Sequence, residues 1–583
     1  MKPSDPLIVQ GDRSLLLHTT TSVLDEEGVP RRDAEGNPLT VEHPRFAEAR
    51  DVLAGFAELE KSPEYLHSYR ITPVTVWNAA AIGISAKEIL HALEDLACVP
   101  IPANVSADIK AWSGRYGLLK IERIDDAFRL TSIEPDVLEE VLGFPSVAKL
   151  VTRHDDGRVE LQGLSRGVLK QALIRVGFPV DDRGGYVEGD RYPIELRTES
   201  LSGRPFALRP YQDAAADAFH QGGAVTGGNG VVVLPCGAGK TVVAMGVMQR
   251  VGAKTLILTT NTIAVRQWRE EILDKTLLGP DEVVEYTGES KAVAPVTIST
   301  YQMLTWRRSK CSDFEHMELF SGHNWGLVVY DEVHLLPAPI FRVTAELQAR
   351  RRLGLTATLV REDGKEDEVF CLIGPKRCDV PWKVLEGQGF IAAANCTEVR
   401  VALDPALKSG YNSADARRKF RISSENPAKT GVIAALLERH AGGRVLVIGQ
   451  YIDQLNALAR HFKLPLITGK TPNDEREILY EAFRAGKQPT LIVSKVGNFA
   501  VDLPDADVLI QVSGTFGSRQ EEAQRLGRVL RPKSDGRAAS FYAVVTHATR
   551  DQDFAQKRQL FLAEQGYSYE IIDAATLTKD HAP

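Results

Sequence analysis

Val231-Val232-Val233-Leu234-Pro235-Cys236-Gly237-Ala238-Gly239-Lys240-Thr241 reads as a buried strand that runs into a glycine-rich turn and then a helix. Four consecutive apolar residues, three of them β-branched, suit a strand covered on both faces, as in a parallel sheet. Gly237 and Gly239 carry no Cβ, so the backbone can curl and aim successive N–H groups at phosphate oxygens. The helix that starts near Lys240 adds the positive end of its dipole. Lys240 is placed to reach the β- and γ-phosphates of a nucleotide, and the Thr241 hydroxyl to ligate Mg²⁺. Leu234 stands where the full phosphate-loop pattern has its first glycine, which makes this loop a weaker signal than the complete motif.

A second motif, Asp331-Glu332-Val333-His334, begins 91 residues beyond Lys240 and follows Leu327-Val328-Val329-Tyr330. Both motifs thus fall at the carboxyl ends of buried strands, where open α/β sheets place their ligands. Asp331 is expected in the outer part of the same metal site, and Glu332 as the base that polarises the attacking water. A bland glycine turn with a solvated lysine explains the first motif alone but not the pair. Together they predict ATP hydrolysis.

Outward from these motifs the pattern continues. Strand-like runs at 231–234, 255–260, 296–300, 327–330 and 353–356 alternate with amphipathic helical stretches, the signature of a parallel sheet with helices on both faces. A second series follows at Val445-Leu446-Val447-Ile448, Leu491-Ile492-Val493, Val508-Leu509-Ile510 and 541–545. The first 200 residues differ. Residues 25–38 read as an exposed loop, Ser85 with Glu88 as a capping box opening a helix, 165–177 as another helix, and Gly184-Gly185 as a turn. The expected architecture is α/β: smaller α+β domains at 1–125 and 126–200, a parallel-sheet domain at 201–380, a linker at 381–435, and a second parallel-sheet domain at 436–583.

Composition is that of an ordinary globular chain, with 43% hydrophobic and 25% charged residues among 583. No apolar run approaches the ~20 residues needed to cross a bilayer. Met1-Lys2-Pro3-Ser4-Asp5 leads directly into Pro6-Leu7-Ile8-Val9 with no signal-peptide core, so a cytoplasmic location is expected. Six scattered cysteines (98, 236, 311, 371, 378 and 396) include no C-x-x-C pair, which argues against structural zinc and for free thiols. A net charge of −7 does not advertise nucleic-acid binding, yet a groove needs only a local positive field. Arg350-Arg351-Arg352 and Arg417-Arg418-Lys419-Phe420-Arg421 could supply one, or could each be a solvated helix face.

Gln524-Arg525-Leu526-Gly527-Arg528-Val529-Leu530-Arg531-Pro532 places Arg528 and Arg531 three apart, on one face of a helix. In a two-lobed motor such arginines reach the γ-phosphate held by the other lobe, an effect of about 10³–10⁵ in rate in other nucleotidases.

These motifs, in this order, resemble superfamily-two helicases and more closely the XPB family of DNA helicases. Leu208-Arg209-Pro210-Tyr211-Gln212, the phosphate loop, Thr300-Tyr301-Gln302, the Asp331–His334 motif and Leu355-Thr356-Ala357-Thr358-Leu359-Val360-Arg361-Glu362-Asp363 carry the match. Val496-Gly497 through Asp502-Leu503-Pro504, and the segment 524–532, complete it over about 205–550. Glu60-Lys61-Ser62-Pro63 and Trp77-Asn78-Ala79-Ala80 look like the N-terminal domain of prokaryotic members.

The resemblance implies two RecA-like motor lobes. It implies ATP contacts from Arg209, Gln212 and Gln524, with the Gln212 amide reading the adenine edge. His334, Thr356 and Thr358 would couple nucleotide state to lobe closure, and Arg361, Glu362 and Asp363 would part the strands. Residues 126–200 would correspond to a damage-recognition domain, and Arg417, Arg418, Lys419 and Phe420 to a DNA-gripping thumb, Phe420 stacking or packing. The expectation is a monomeric, ATP- and Mg²⁺-dependent helicase that moves 3′ to 5′ on DNA at single-strand/duplex junctions, in repair of the nucleotide-excision type. Alternatives are a duplex translocase that unwinds poorly, and a nucleotide-switched loader for a partner nuclease.

Overall fold

The structure is a computed structural model. It describes residues 5–25, 29–32, 39–61, 65–125, 127–162, 166–182, 188–223, 227–306, 308, 315–316, 319, 323–335, 351–357, 369, 373–494, 506–514, 522, 525–527, 538–567 and 569–579. The chain divides into two compact units, Met1–Leu234 with Gly239–Asp379, and Pro235–Ala238 with Val380–Pro583.

The first unit opens with β1 (Leu7–Val9), β2 (Ser14–His18), β3 (Thr20–Ser22), β4 (Thr40–Glu42), β5 (Glu58–Lys61) and β6 (Leu66–Arg70). Four of these form an antiparallel sheet in the order β1-β2-β6-β5, while β3 and β4 pair separately. Helices Pro73–Ala81, Ala86–Leu96 and Ala103–Arg115 follow, and a core that includes Leu15, Leu17, Val76, Leu93 and Ile109 joins sheet and helices. Ser85 caps the second helix as its sequence predicts: Glu88 N donates to Ser85 Oγ (3.3 Å), and Ser85 N to the Glu88 carboxylate (2.8 Å). Val74 and Trp77 of the first helix belong instead to the core of the parallel-sheet domain described below.

A second small sheet comprises β7 (Leu119–Ile124), β8 (Ala127–Ser132), β9 (Val151–Arg153), β10 (Val159–Leu161) and β11 (Val180–Asp182), ordered β11-β7-β8-β10-β9, with helix Arg166–Arg175 beside β11. The expected boundary at 125/126 cuts through the β7–β8 hairpin, which pairs Leu119–Ile124 with Ala127–Ser132. The domain therefore begins before residue 119. Gly184 and Gly185 lie outside the described residues.

The first large sheet has, among the described residues, seven parallel strands: β12 (Asn229–Val233), β13 (Thr255–Thr259), β14 (Val283–Tyr286), β15 (Val296–Thr300), β16 (Leu327–Asp331), β17 (Arg351–Thr356) and β18 (Lys376–Asp379). Their order is β14-β15-β13-β16-β17-β12-β18. Every residue of β13 and β15 is buried, threonines and a serine included. The hydroxyls of Thr255, Thr297 and Ser299 donate to the carbonyls of Ala253, Ala294 and Tyr286, so their burial leaves these polar atoms satisfied.

The second unit has its own seven-stranded parallel sheet among the described residues: β19 (Ala394–Val401), β20 (Val445–Gly449), β21 (Leu466–Ile467), β22 (Thr490–Ser494), β23 (Val508–Gln511), β24 (Ala539–Thr546) and β25 (Tyr569–Asp573). Its order is β21-β22-β20-β23-β24-β19-β25. The span 381–435 is thus no linker. All eight residues of β19 pair with β24, and β19 sits inside the sheet because β25 covers its far side. The expected fold class, two parallel-sheet α/β domains preceded by smaller α+β domains, is the one the chain forms. Among the described residues, no helix is long and apolar enough to cross a membrane, and Cys98, Cys236, Cys378 and Cys396 are free thiols.

Candidate active site

Three neighbouring strands of the first unit deliver the site. In the register of the sheet, Asp331 at the end of β16 faces Leu355 of β17, and Thr356 of β17 faces Val233 of β12. Just past β12, Leu234 N donates to Thr356 O at 3.0 Å. Three motifs far apart in sequence are therefore fastened side by side by main-chain hydrogen bonds.

Gly237 and Gly239 adopt φ of 81° and 79°, the left-handed region in which a Cβ costs roughly 1–2 kcal/mol. At Gly239 a Cβ would also stand 2.5 Å from Gln212 Nε2. Gly239 is the N-cap of helix Lys240–Val251, and no side chain caps it. The start of this helix is the kind of backbone N–H cluster that binds phosphate at helix N-termini. Gly237 is exposed, and Lys240 and Thr241 are half-buried. Gln212 is buried beside the loop, where its side-chain carbonyl accepts from Arg209 N (2.9 Å) and its amide nitrogen lies 3.3 Å from Tyr211 Oη.

Asp331 is held on three sides. The Trp268 indole N–H donates to Oδ2 (3.0 Å), Glu332 N to Oδ1 (3.0 Å), and the Tyr301 hydroxyl to the Asp331 carbonyl (2.7 Å). Burial, with the Glu332 charge beside it, pushes the Asp331 carboxyl up to about 6, while Trp268 and Lys240 pull it down. Glu332 has φ of 51°, a backbone state that costs a non-glycine residue about 1–3 kcal/mol and clusters at active sites. Its Oε2 is buried; His334 Nδ1 stands 3.3 Å away, and no hydrogen-bond partner is present among the described residues. The same His334 nitrogen lies 3.1 Å from Thr356 Oγ1.

These residues fit a nucleotide-bound magnesium ion. Among the described residues, Asp331 spends two of about four lone-pair positions on protein donors. Among the described residues no cluster of three acidic, histidine or cysteine ligands exists.

Several expected site residues are not among the described ones, and others take different positions. Thr358, Arg361, Glu362, Asp363, Gln524, Arg528 and Arg531, with Val496-Gly497 and 501–504, are outside the described residues. Arg351 and Arg352 begin β17 rather than lining a helix: Arg352 is buried, and Arg351 pairs with Glu188 at 3.0 Å. In the second unit, Arg417 and Arg418 are exposed on helix Ala416–Ser424, and Lys419 lies 5.7 Å from the Tyr411 ring. Phe420 is fully buried, edge-on to Phe554 at 4.8 Å and Tyr451 at 6.3 Å. It packs, and offers no ring face to a base. Arg421 pairs with Glu425 and Asp453.

Two residues escaped the sequence reading. Trp268 looks like one more apolar position of an amphipathic helix, with Val265 and Ile272. The available signal was its N–H, which needs a partner when buried. Arg525, within the segment 524–532, is buried and donates to Gln511 Oε1, while Gln511 Nε2 donates to Glu522 (3.0 Å).

Comparison with known proteins places this geometry in context. The family described as ERCC3/RAD25/XPB C-terminal helicase matches residues 385–582, and that of the type III restriction enzyme, res subunit, matches 205–361. A family described as helicase conserved C-terminal domain matches 36–156, although that span holds parts of the two small sheets and neither parallel one. A protein named DNA 3'-5' helicase XPB in Kineococcus radiotolerans is 50% identical over 571 residues, 98% of this chain and 96% of that protein. The protein of the same name in Mycobacterium tuberculosis is 48% identical over 574 residues, covering 98% of both. In Schizosaccharomyces pombe, a protein named general transcription and DNA repair factor IIH helicase/translocase subunit XPB is 30% identical over 601 residues, 91% of this chain and 74% of its own length.

Proposed function

The chain belongs to the XPB family of DNA helicases, and from that premise we propose that it is an ATP-dependent helicase that moves 3′ to 5′ on DNA in repair. The observation that carries the reading is the hydrogen-bonded alignment of β12, β17 and β16, which sets the phosphate loop beside Asp331, Glu332 and His334. Lys240 and the uncapped N–H groups after Gly239 receive the β- and γ-phosphates. Thr241 and Asp331 are the residues that would hold magnesium. Bound there, the ion would neutralise charge that develops on the phosphate oxygens. Glu332 orients the attacking water and takes its proton. His334, bridging Glu332 and Thr356, connects that base to the end of β17.

Arg209, Gln212 and Gln524 contact ATP, with the Gln212 amide reading the adenine edge. Arg528 and Arg531 complete the charge stabilisation when ATP draws the lobes together. Thr358 supports coupling, and Arg361, Glu362 and Asp363 act as the wedge between strands. Arg417, Arg418 and Lys419 grip the phosphate backbone, which gives strong salt dependence and little sequence preference. We further propose that it acts as a monomer in the cytoplasm, at single-strand/duplex junctions, with a repair nuclease as partner.

Matched duplexes with a 3′ or a 5′ single-stranded tail test the reading, with Lys240→Ala as control. ATP-dependent separation of the 3′-tailed duplex alone, lost in the variant, is the expected result. Separation from the 5′ tail would reverse the polarity. A relative carries "helicase/translocase" in its name, which favours duplex translocation as the second reading. DNA-stimulated ATP hydrolysis without strand separation on either substrate would select it.

A further inference from the structure

The carboxyl edge of the first large sheet carries a second cluster, away from the phosphate loop. β14 ends at Tyr286, and its neighbour β15 runs directly into the short helix Tyr301–Leu304. Around these ends, Tyr286 and His316 meet edge-on with centroids 5.7 Å apart, and Tyr286 Oη lies 3.1 Å from His316 Nδ1. Trp306 tilts against His316 at 5.9 Å. The Lys291 ammonium stands 4.8 Å over the Tyr286 ring and 3.9 Å from Met303 Sδ. Glu289 and Glu315 are nearby, but each is paired with an arginine, Arg266 at 3.5 Å and Arg308 at 2.6 Å. They do not cancel Lys291.

Trp306 is 47% exposed, whereas Trp268 and Trp325 of the same domain are buried. Core packing therefore does not account for it. A half-exposed indole, backed by two more rings with Lys291 over the farther one, is the surface on which single-stranded nucleic acids lay a base while a cation meets the phosphate. Duplex DNA offers no free base face to such a ring, so the matching ligand is an unpaired strand.

We infer that Trp306, supported by His316, Tyr286 and Lys291, is a stacking site for an unpaired base of the DNA strand. The inference rests on the DNA-motor reading above and adds a place where the strand is held. It also supplies a route to the chemistry. Helix Tyr301–Leu304 sends the Tyr301 hydroxyl to the Asp331 carbonyl and Met303 to Lys291, and Trp306 follows two residues later. A base on Trp306 is thus five residues along the chain from Tyr301, which fixes Asp331, so strand occupancy bears on ATP turnover.

The test uses the full chain and a fluorescent oligothymidylate of 12 nucleotides. Trp306→Ala is expected to raise Kd about 5- to 100-fold, and Trp306→Phe, which keeps a ring, to stay within about threefold of wild type. The oligonucleotide concentration that half-saturates ATPase stimulation should shift by the same factors. Binding should also quench part of the tryptophan emission in wild type, and that part should be absent in Trp306→Phe. Wild-type affinity in Trp306→Ala, at an unchanged melting midpoint, would overturn the stacking site and leave the motor reading intact. Failure of the wild-type chain to bind the oligonucleotide would overturn the stacking site together with the strand-separating helicase reading and leave duplex translocation.

Discussion

Asp331, to which we assign a part in catalysis, is held by groups that no motif contains. Trp268, on helix Thr262–Lys275, supplies one of the two carboxylate hydrogen bonds found among the described residues, and Tyr301 fixes the carbonyl from a third element. Trp268→Phe keeps the ring and deletes the donor, leaving Oδ2 short of a partner at a cost of about 1–3 kcal/mol. Steady-state ATPase measurements should show kcat lowered about 10- to 100-fold, the scale of a slight misplacement. KM for ATP should move little, because the phosphate loop is untouched. Unchanged kcat would mean that Trp268 does not position Asp331. Sequence exposed Asp331 and Glu332 through their spacing from Lys240, but Trp268 was hidden because its helix reads only as a buried stripe.

At the scale of elements, the turn between β12 and helix Lys240–Val251 depends on two left-handed glycines. Gly239→Ala adds a strained φ and sets a methyl against Gln212 Nε2. Nucleotide affinity should fall at least about tenfold, one such backbone penalty, read as loss of the melting shift that ADP gives wild type. A full shift would show that the loop tolerates a Cβ there. The strands visible in sequence were the interior ones, whose unbroken apolar runs come from burial on both faces. All four sheet edges, β14, β18, β21 and β25, escaped notice. β18 is Lys-Arg-Cys-Asp, and none of its residues is fully buried. β19 was missed for a different reason: Asn395, Thr397, Glu398 and Arg400 break its apolar run. Yet Glu398 is buried, satisfied by Arg400 and Gln559 at 2.7 Å each. A strand whose charges are paired within the fold looks like a linker until its partners are seen.

For the molecule as a whole, acid tests the N-terminal domain first. His67 is buried between Phe46 and Tyr69, its Nδ1 has no hydrogen-bond partner among the described residues, and burial with Arg50 nearby pushes its pKa down to about 4. The unfolded chain titrates near 6.5 and so binds the extra proton first. The stability that neutral His67 allows is complete above about 6.5 and drains away as pH falls towards 4. At pH 5 the loss should be on the order of 2 kcal/mol, seen as a lower urea midpoint that His67→Phe largely restores. Equal pH dependence in both proteins would remove His67 from the account. Val74 and Trp77 share the core of the first large sheet, so the loss should extend to the motor domain.

The left-handed backbone of Glu332 has a consequence for how such a chain evolves. At that position the residue the backbone prefers, glycine or asparagine, differs from the glutamate that our proposed mechanism needs for turnover. Heat resistance and catalysis therefore pull this site in opposite directions. A lineage freed from the need to hydrolyse ATP would drift there early, gaining stability as it fell silent.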